Sequence, residues 1–348
     1  MASKAPFVQA MRSQPEQLAL SREHLLRSLD AATLAEWKPG DTIGVVAMGA
    51  SSHSGIALVT VLAAAGIRAV NLVASDLLLA KPGFQPADHY IIVSESGRSP
   101  EPIEAARALT VGRRIGISNF PDAQISEVLD VALGLGGFAD SGVYTVGYTA
   151  TLMAYAMLVD RVGAVPAAED VERIPALVAD ALARYDRAAA AVGALIAGAE
   201  TIDVVGRGVS LSTASEFALM IREGLRMPAA AFETFQYLHG PMESAQTSTV
   251  VVLFGDDREL TIPDPLLAAG IPVVLVTAAA EADIPSAGHP KLTIVPVSAS
   301  LSGFVRPIVE TVFAQLVLAH GIEHKPFPIE QFVFDGLGTK VDEVTPVS

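Results

Sequence analysis

Short apolar runs of strand length alternate with stretches of helical period along most of the chain, the pattern of an α/β protein with mostly parallel sheets. The run 42–48 (TIGVVAM) reads as a strand buried on both faces. Gly49-Ala50-Ser51-Ser52-His53-Ser54-Gly55 follows it, then a helix to about residue 65. Further strands are predicted at 69–74, 89–93 (HYIIV), 114–118 and 131–135, with a helix over 100–109. Residues 145–197 are Ala-rich and read as helical, with a break at 163–166. The alternation then restarts with a strand at 201–205, the turn Gly206-Arg207-Gly208 and a helix over 212–226. Strands at 249–254, 272–277 and 292–296 and a helix over 303–319 complete the series. Gly49 and Gly206 each close the first strand of such a series, which predicts two related halves.

This divides the chain into a helical segment (1–30), a first α/β unit (31–165), a connecting helix (166–200), a second unit (201–320) and a tail (321–348). The tail is Pro- and Gly-punctuated and reads as an arm over a surface. With roughly 150 residues per domain, the 348 residues fit two such units. The charge balance of 23 Lys+Arg against 38 Asp+Glu gives −15. That argues against nucleic acid or an anionic membrane as a partner, since both need a basic surface. An anionic ligand must then be held locally, by N–H groups and hydroxyls. Zero cysteine excludes disulfides, zinc-thiolate and iron–sulfur sites and a thiol nucleophile. No apolar h-region opens the chain and no uninterrupted apolar run reaches the roughly 18 residues of a membrane helix, so a cytoplasmic protein is expected.

Candidate chemistry sits in the loops after strands. Ser94-Glu95-Ser96-Gly97-Arg98-Ser99 lies between a strand and a helix, where open parallel sheets place ligands. Three hydroxyls, a permissive Gly and a helix start can cradle an anion. The same residues also suit an ordinary Ser-rich N-cap turn. Gly49 and Ser51 occupy the equivalent place after the first strand, without Walker or dinucleotide spacing. In the second half the comparable loop reads Phe254-Gly255-Asp256-Asp257, whose carboxylates would repel a phosphate. Glu216, Met220 and Glu223 fall at i, i+4 and i+7 of one helix. A carboxylate there can serve as a general base, or be a solvated residue paired with Arg226. His239 precedes Gly240-Pro241 at a sharp turn and is either a proton donor or a structural residue. His53 has a similar standing. No clustered ligand spacing points to a metal, and no cofactor is expected.

Together these pieces resemble the tandem sugar isomerase (SIS) domain family, and within it the isomerase half of glutamine–fructose-6-phosphate aminotransferase. Stand-alone amino-sugar-phosphate deaminases and fructosamine-phosphate deglycases are similar. Met11 to Glu16 resembles the family's opening "M…QPE", and Gly49–Gly55 and Ser94–Ser99 its ligand loops. Asp140-Ser141-Gly142-Val143 resembles its acidic-x-Gly-Val turn, and Glu216 to Pro241 its catalytic helix and His-Gly-Pro turn. The resemblance implies two SIS subdomains, each a three-layer αβα unit. Phosphate would be bound by Gly49, Ser51, Ser94, Ser96 and Ser99 beside Glu95, and the sugar lined by Val143 and Thr145. Glu223 would move a proton between C1 and C2, while His239 from a partner subunit assists ring opening. Lys340 would be the tail lysine that closes over the sugar.

Three positions depart from the pattern. Met220 stands for a lysine of the synthase branch, Glu95 for a glutamine, and Arg98 for an acidic residue. Glutamine-dependent synthesis by a chain without cysteine is not expected. The implied function is a homodimeric isomerase or deaminase of a 6-phosphorylated amino sugar. A fructosamine-phosphate deglycase and a non-catalytic phosphosugar-binding protein are the alternatives, the last disfavoured by the missing basic DNA-binding segment.

Overall fold

The structure is a computed structural model that describes residues 4–120, 122–334 and 337–341. The parts of the 321–348 tail at 335–336 and beyond 341 lie outside the described residues.

The first half runs α1 (Phe7–Ala31), β1 (Thr42–Ala47), α2 (Gly49–Ala64), β2 (Arg68–Val73), α3 (Ala74–Leu77), β3 (His89–Val93), α4 (Pro100–Ala108), β4 (Arg114–Ser118) and β5 (Val131–Gly134). Three helices join the halves: α5 (Val146–Arg161), α6 (Ala168–Arg184) and α7 (Asp186–Ala197). The second half runs β6 (Thr201–Gly206), α8 (Ser210–Met220), β7 (Ala229–Glu233), α9 (Thr234–Leu238), β8 (Thr249–Phe254), α10 (Pro263–Ala268), β9 (Val273–Thr277), β10 (Leu292–Pro296) and α11 (Val305–Ile322).

Each half holds a five-stranded sheet with every neighbouring pair parallel. The orders are β2-β1-β3-β4-β5 and β10-β9-β8-β6-β7. Read from the other edge, the second is β7-β6-β8-β9-β10, the same winding as the first. Central strands β3, β4, β8 and β9 are buried along their whole length, as β-branched runs covered on both faces should be. The sequence reading missed β7. Its Ala-Ala-Ala-Phe-Glu lacks β-branched residues, and as an edge strand beside β6 it is only half-buried.

Helix α1 buries Phe7, Met11, Leu18 and Leu25 along one stripe and packs on α5, α6 and α11. Pro15 lies inside it, so the Met11 carbonyl has no N–H four residues on. The Gln14 amide replaces that donor, reaching the Met11 carbonyl at 3.0 Å. The same amide nitrogen donates to Gln315 Oε1 at 2.7 Å, and Gln14 Oε1 accepts from the Thr149 hydroxyl at 2.8 Å. A buried polar knot thus ties α1, α5 and α11 together. Helix α11 has the length and mean apolarity of a membrane span, although Arg306 and Glu310 interrupt it, and 89% of it is buried inside the fold. It is a core helix, and one apolar cluster runs from Ile43 and Val45 of the first sheet to Val204 and Val252 of the second. The halves also meet where α2 lies against α8.

Candidate functional site

The serine loop leaves the carboxyl end of β3. The Ser94 N–H bonds the Ile117 carbonyl of β4 at 3.2 Å, which fixes where the loop departs. Gly97 turns it with φ +63°, and a Cβ there would sit 2.6 Å from Ala123 Cβ, so only glycine fits. Ser99 holds the N-cap position of α4 but its hydroxyl makes no capping hydrogen bond. It accepts from the Ser94 hydroxyl at 3.3 Å instead, and Ser96 Oγ accepts from the Arg98 N–H at 3.3 Å. The hydroxyls are gathered toward one another rather than consumed in capping, at the start of α4, where Pro100 and Pro102 carry no N–H of their own. Gly49 opens α2 with φ +52°, and Ser51 lies half-buried in that helix's first turn.

Glu95 points inward from the loop and is 9% exposed. Its carboxylate accepts from Asn119 Nδ2 at 2.9 Å and from the Tyr144 hydroxyl. Burial, and then the neighbouring Asp140, push its pKa up to about 7, against the opposing pull of Asn119, Lys340 and Tyr144. Asp140 itself takes the N–H groups of Ser141, Thr145 and Gly147 and the Thr145 hydroxyl at 2.6 Å, so it anchors the start of α5. Val143 and Thr145 are fully buried, and the Thr145 hydroxyl is engaged by Asp140. Neither residue presents accessible surface.

Asn119 and Tyr144 were not singled out in the sequence. Asn119 follows β4 as Glu95 follows β3, and that placement was the available signal. Its amide also donates to the Phe138 carbonyl at 2.9 Å, while Oδ1 accepts from the Gly137 and Phe138 N–H groups. Tyr144 sits between two named neighbours. Burial raises its pKa well above the usual tyrosine value, and Glu95, Asp140 and Glu223 all press the same way.

That last influence joins the two halves. Glu223 does not continue the α-helical period from Glu216. The helix widens into a π turn over Ile221–Leu225, a feature frequent at functional sites. Its end is Arg226 in the left-handed region at φ 54°. Arg226 does not pair with Glu223. Its guanidinium stacks 3.9 Å over Phe327 and donates to the Gln331 carbonyl of the tail. Glu223 is half-buried, and burial followed by the charge of Glu216 lifts its pKa to about 7, with Arg222 opposing. Met220 is fully buried in the core and faces no cleft. Glu216 is 2% exposed and meets His53 of α2, with His53 Nδ1 3.1 Å from Glu216 Oε2.

His239 lies exposed at the end of α9, with Gly240 at φ 148° after it. Among the described residues no hydrogen bond joins its ring to Glu223 or the serine loop. Lys340 is brought to that loop: its Nζ donates to Ser96 Oγ at 3.0 Å, and the Val341 N–H bonds the Arg98 carbonyl.

The second half's equivalent loop is filled by its own carboxylates. Glu259 accepts from the Thr234 hydroxyl and the Asp257 N–H, and lies so close that a Cβ on Gly255 would strike it. Asp256 accepts from the Ala278 N–H at 2.7 Å and from the Thr277 hydroxyl, and pairs with Arg306.

Comparison with known proteins bears on the family and the fold. The SIS domain family profile matches residues 195–321. Isomerizing glutamine–fructose-6-phosphate aminotransferase from Sulfurisphaera tokodaii is 22% identical over 259 residues, 73% of this chain and 44% of that protein. The enzyme of the same name from Pseudomonas aeruginosa is 26% identical over 233 residues, 63% of this chain and 38% of that protein. The chain therefore spans less than half the length of these relatives. Among solved structures, the C-terminal domain of glucosamine-fructose-6-phosphate aminotransferase from Francisella tularensis superposes with a TM-score of 0.79 at 20% identity, covering 95% of this chain and 99% of that one. Glucosamine-6-phosphate deaminase from Thermotoga maritima gives 0.73 at 18%, covering 94% and 98%. Tagatose-6-phosphate ketose/aldose isomerase from Escherichia coli gives 0.71 at 16%, covering 94% and 95%. Residues 195–321 thus match the SIS domain family, and both halves of the chain share the fold of these solved structures.

Proposed function

We propose that the protein is a sugar-phosphate isomerase or deaminase acting on a 6-phosphorylated amino sugar such as glucosamine 6-phosphate, as a cytoplasmic homodimer. The observation that carries this is the junction through Tyr144. It bonds the acid of the serine loop and feels the charge of Glu223, so it stands between an anion cradle and a near-neutral carboxylate. A carboxylate at about 7 is poised for proton transfer at neutral pH, where it is a stronger base than an ordinary glutamate.

In this reading the phosphate takes the hydroxyls of Ser94, Ser96, Ser99 and Ser51 and the Lys340 ammonium. His239 of a partner subunit assists opening of the sugar ring. Glu223 removes the proton from C2 and returns it to C1, leaving a ketimine at C2. Water adds to the ketimine and ammonia departs, giving fructose 6-phosphate. Met220 offers no support for a deglycase, because its side chain is in the core rather than in a widened cleft.

Incubation with glucosamine 6-phosphate is expected to release equal amounts of ammonia and fructose 6-phosphate. Glu223→Gln should lower turnover by about 10²–10⁴-fold, the usual contribution of a general base. Unchanged turnover in that variant would remove Glu223 from the chemistry, and turnover of no phosphosugar would favour the binding protein.

A further inference from the structure

The face where α2 meets α8 carries a pair that the proposed chemistry does not use. His53 projects from the first half, four positions after Gly49, and its Nδ1 lies 3.1 Å from Oε2 of Glu216 in the second half. Glu216 is 2% exposed, whereas His53 is 27% exposed. The pair therefore has an inner carboxylate and an outer imidazole that reaches solvent. Seven residues further on, past the start of the π turn, stands Glu223, close enough that the charge of Glu216 acts on it.

We propose that His53 and Glu216 form a positioning pair that sets the charge environment of Glu223, so that a residue of the first half governs the proton-accepting carboxylate of the second. This rests on the assignment of Glu223 as the base. A hydrogen-bonded imidazole–carboxylate pair is neutral overall when the ring carries both protons and carries one negative charge when it does not. A buried negative charge near a second carboxylate makes that carboxylate hold its proton. With the imidazolium present, Glu216 is compensated and Glu223 ionises more readily. Without it, Glu223 keeps its proton to higher pH.

The other groups facing this array are few. Tyr148 of α5 stands beside Glu216, and its hydroxyl donates to the Ser212 carbonyl at 3.0 Å. Tyr144 lies beside Glu223 and links it to Glu95, and Arg222 precedes Glu223 in the π turn. At the neighbouring Gly224, the closest side chains from α11 and the tail are the apolar Leu318 and Ile329. His53 is thus the one basic side chain in hydrogen-bond contact with the inner carboxylate among the described residues.

The test is a titration of side-chain carboxyls by NMR on the full chain labelled at glutamate, with the Glu223 resonance assigned by its loss in Glu223→Gln. Glu216→Gln should move the Glu223 midpoint down by half a pH unit or more. His53→Asn keeps an N–H donor to Glu216 but no charge, and should move the midpoint up. The double variant should behave as Glu216→Gln alone, since the imidazole acts through Glu216. A purely structural pair would move neither midpoint in these opposite senses, and an unmoved midpoint in both variants overturns the proposal. His53 is partly exposed and the less disruptive site, so if Glu216→Gln fails to fold, the direction of the His53→Asn shift decides. The titration needs no substrate. A Glu223 that titrates as expected yet is dispensable for turnover would refute the functional reading while leaving the pair intact.

Discussion

At the residue scale, two glutamates carry similar pKa values and, in the proposed chemistry, need opposite states. Glu223 must be ionised to take a proton, so its work requires pH above about 7. Glu95 must be neutral to share a loop with a phosphate dianion, so its work requires pH below about 7. The carboxyl that departs from the family's glutamine is, when protonated, a neutral hydrogen-bonding group much like the amide. The expected kcat/KM profile is therefore bell-shaped about neutrality, with an acid limb from Glu223 and an alkaline limb from Glu95. Glu95→Gln should abolish the alkaline limb and leave the acid one. A persistent alkaline limb would assign it to another group. Stability gives an independent check. Glu95 titrates higher in the folded state, so its contribution is full below the unfolded value near 4.5 and is lost as pH rises through about 7. Relative to wild type, Glu95→Gln should be more stable at pH 8 than at pH 5, by up to about 3 kcal/mol. Denaturant melts at the two pH values measure the difference.

At the element scale, the apolar alternation carried strand positions well, since the central parallel strands are short, β-branched and wholly buried. It failed where packing outranks propensity. The edge strand β7 is alanine-rich, and the π turn after α8 leaves no trace in a periodicity that assumes 3.6 residues per turn. The opening motif was legible as a resemblance, but its reason was not. Gln14 supplies the donor that Pro15 lacks and also binds Gln315, which needs three helices on the page at once. Close helix contact was equally hidden. Gly193 of α7 faces α11 so tightly that a Cβ would come within 2.8 Å of the Gly321 nitrogen and the Val317 carbonyl. Both are backbone atoms and cannot turn aside as a side chain can. Gly193→Ala should therefore cost about 1–3 kcal/mol through overpacking. Urea unfolding would read this as a lower midpoint at unchanged m-value. An unmoved midpoint would mean that α7 and α11 separate without loss.

At the scale of the whole molecule, two halves with one winding have diverged in what they hold at the same place. The first gathers the hydroxyls of Ser94, Ser96 and Ser99 at its turn, while the second plugs its turn with Glu259 and Asp256. The sequence showed the acidic loop but not that its carboxylates serve as resident anions. What returns the second half to the first half's cradle is the tail. It passes from α11 over Gly224 through buried Ile329, bonds the Phe7 N–H with Glu330, and is gripped by Arg226 at Phe327 and Gln331. Phe332 then covers Gly142, where a Cβ would meet its ring at 2.5 Å, and Lys4 stands 5.5 Å over that ring. Only after these anchors does Lys340 reach Ser96. Because the tail is anchored as far as Phe332 and the Lys340 ammonium already bonds Ser96, a binding phosphate meets that ammonium at the loop. Removing the charge should then act on the ligand rather than on the fold. Lys340→Met is expected to weaken phosphosugar binding by about tenfold or more, as loss of a charge-assisted hydrogen bond would. The Tm without ligand should stay within a degree or two. Calorimetric titration beside thermal melts separates the two effects, and equal affinity in the variant would make the tail a structural strap alone.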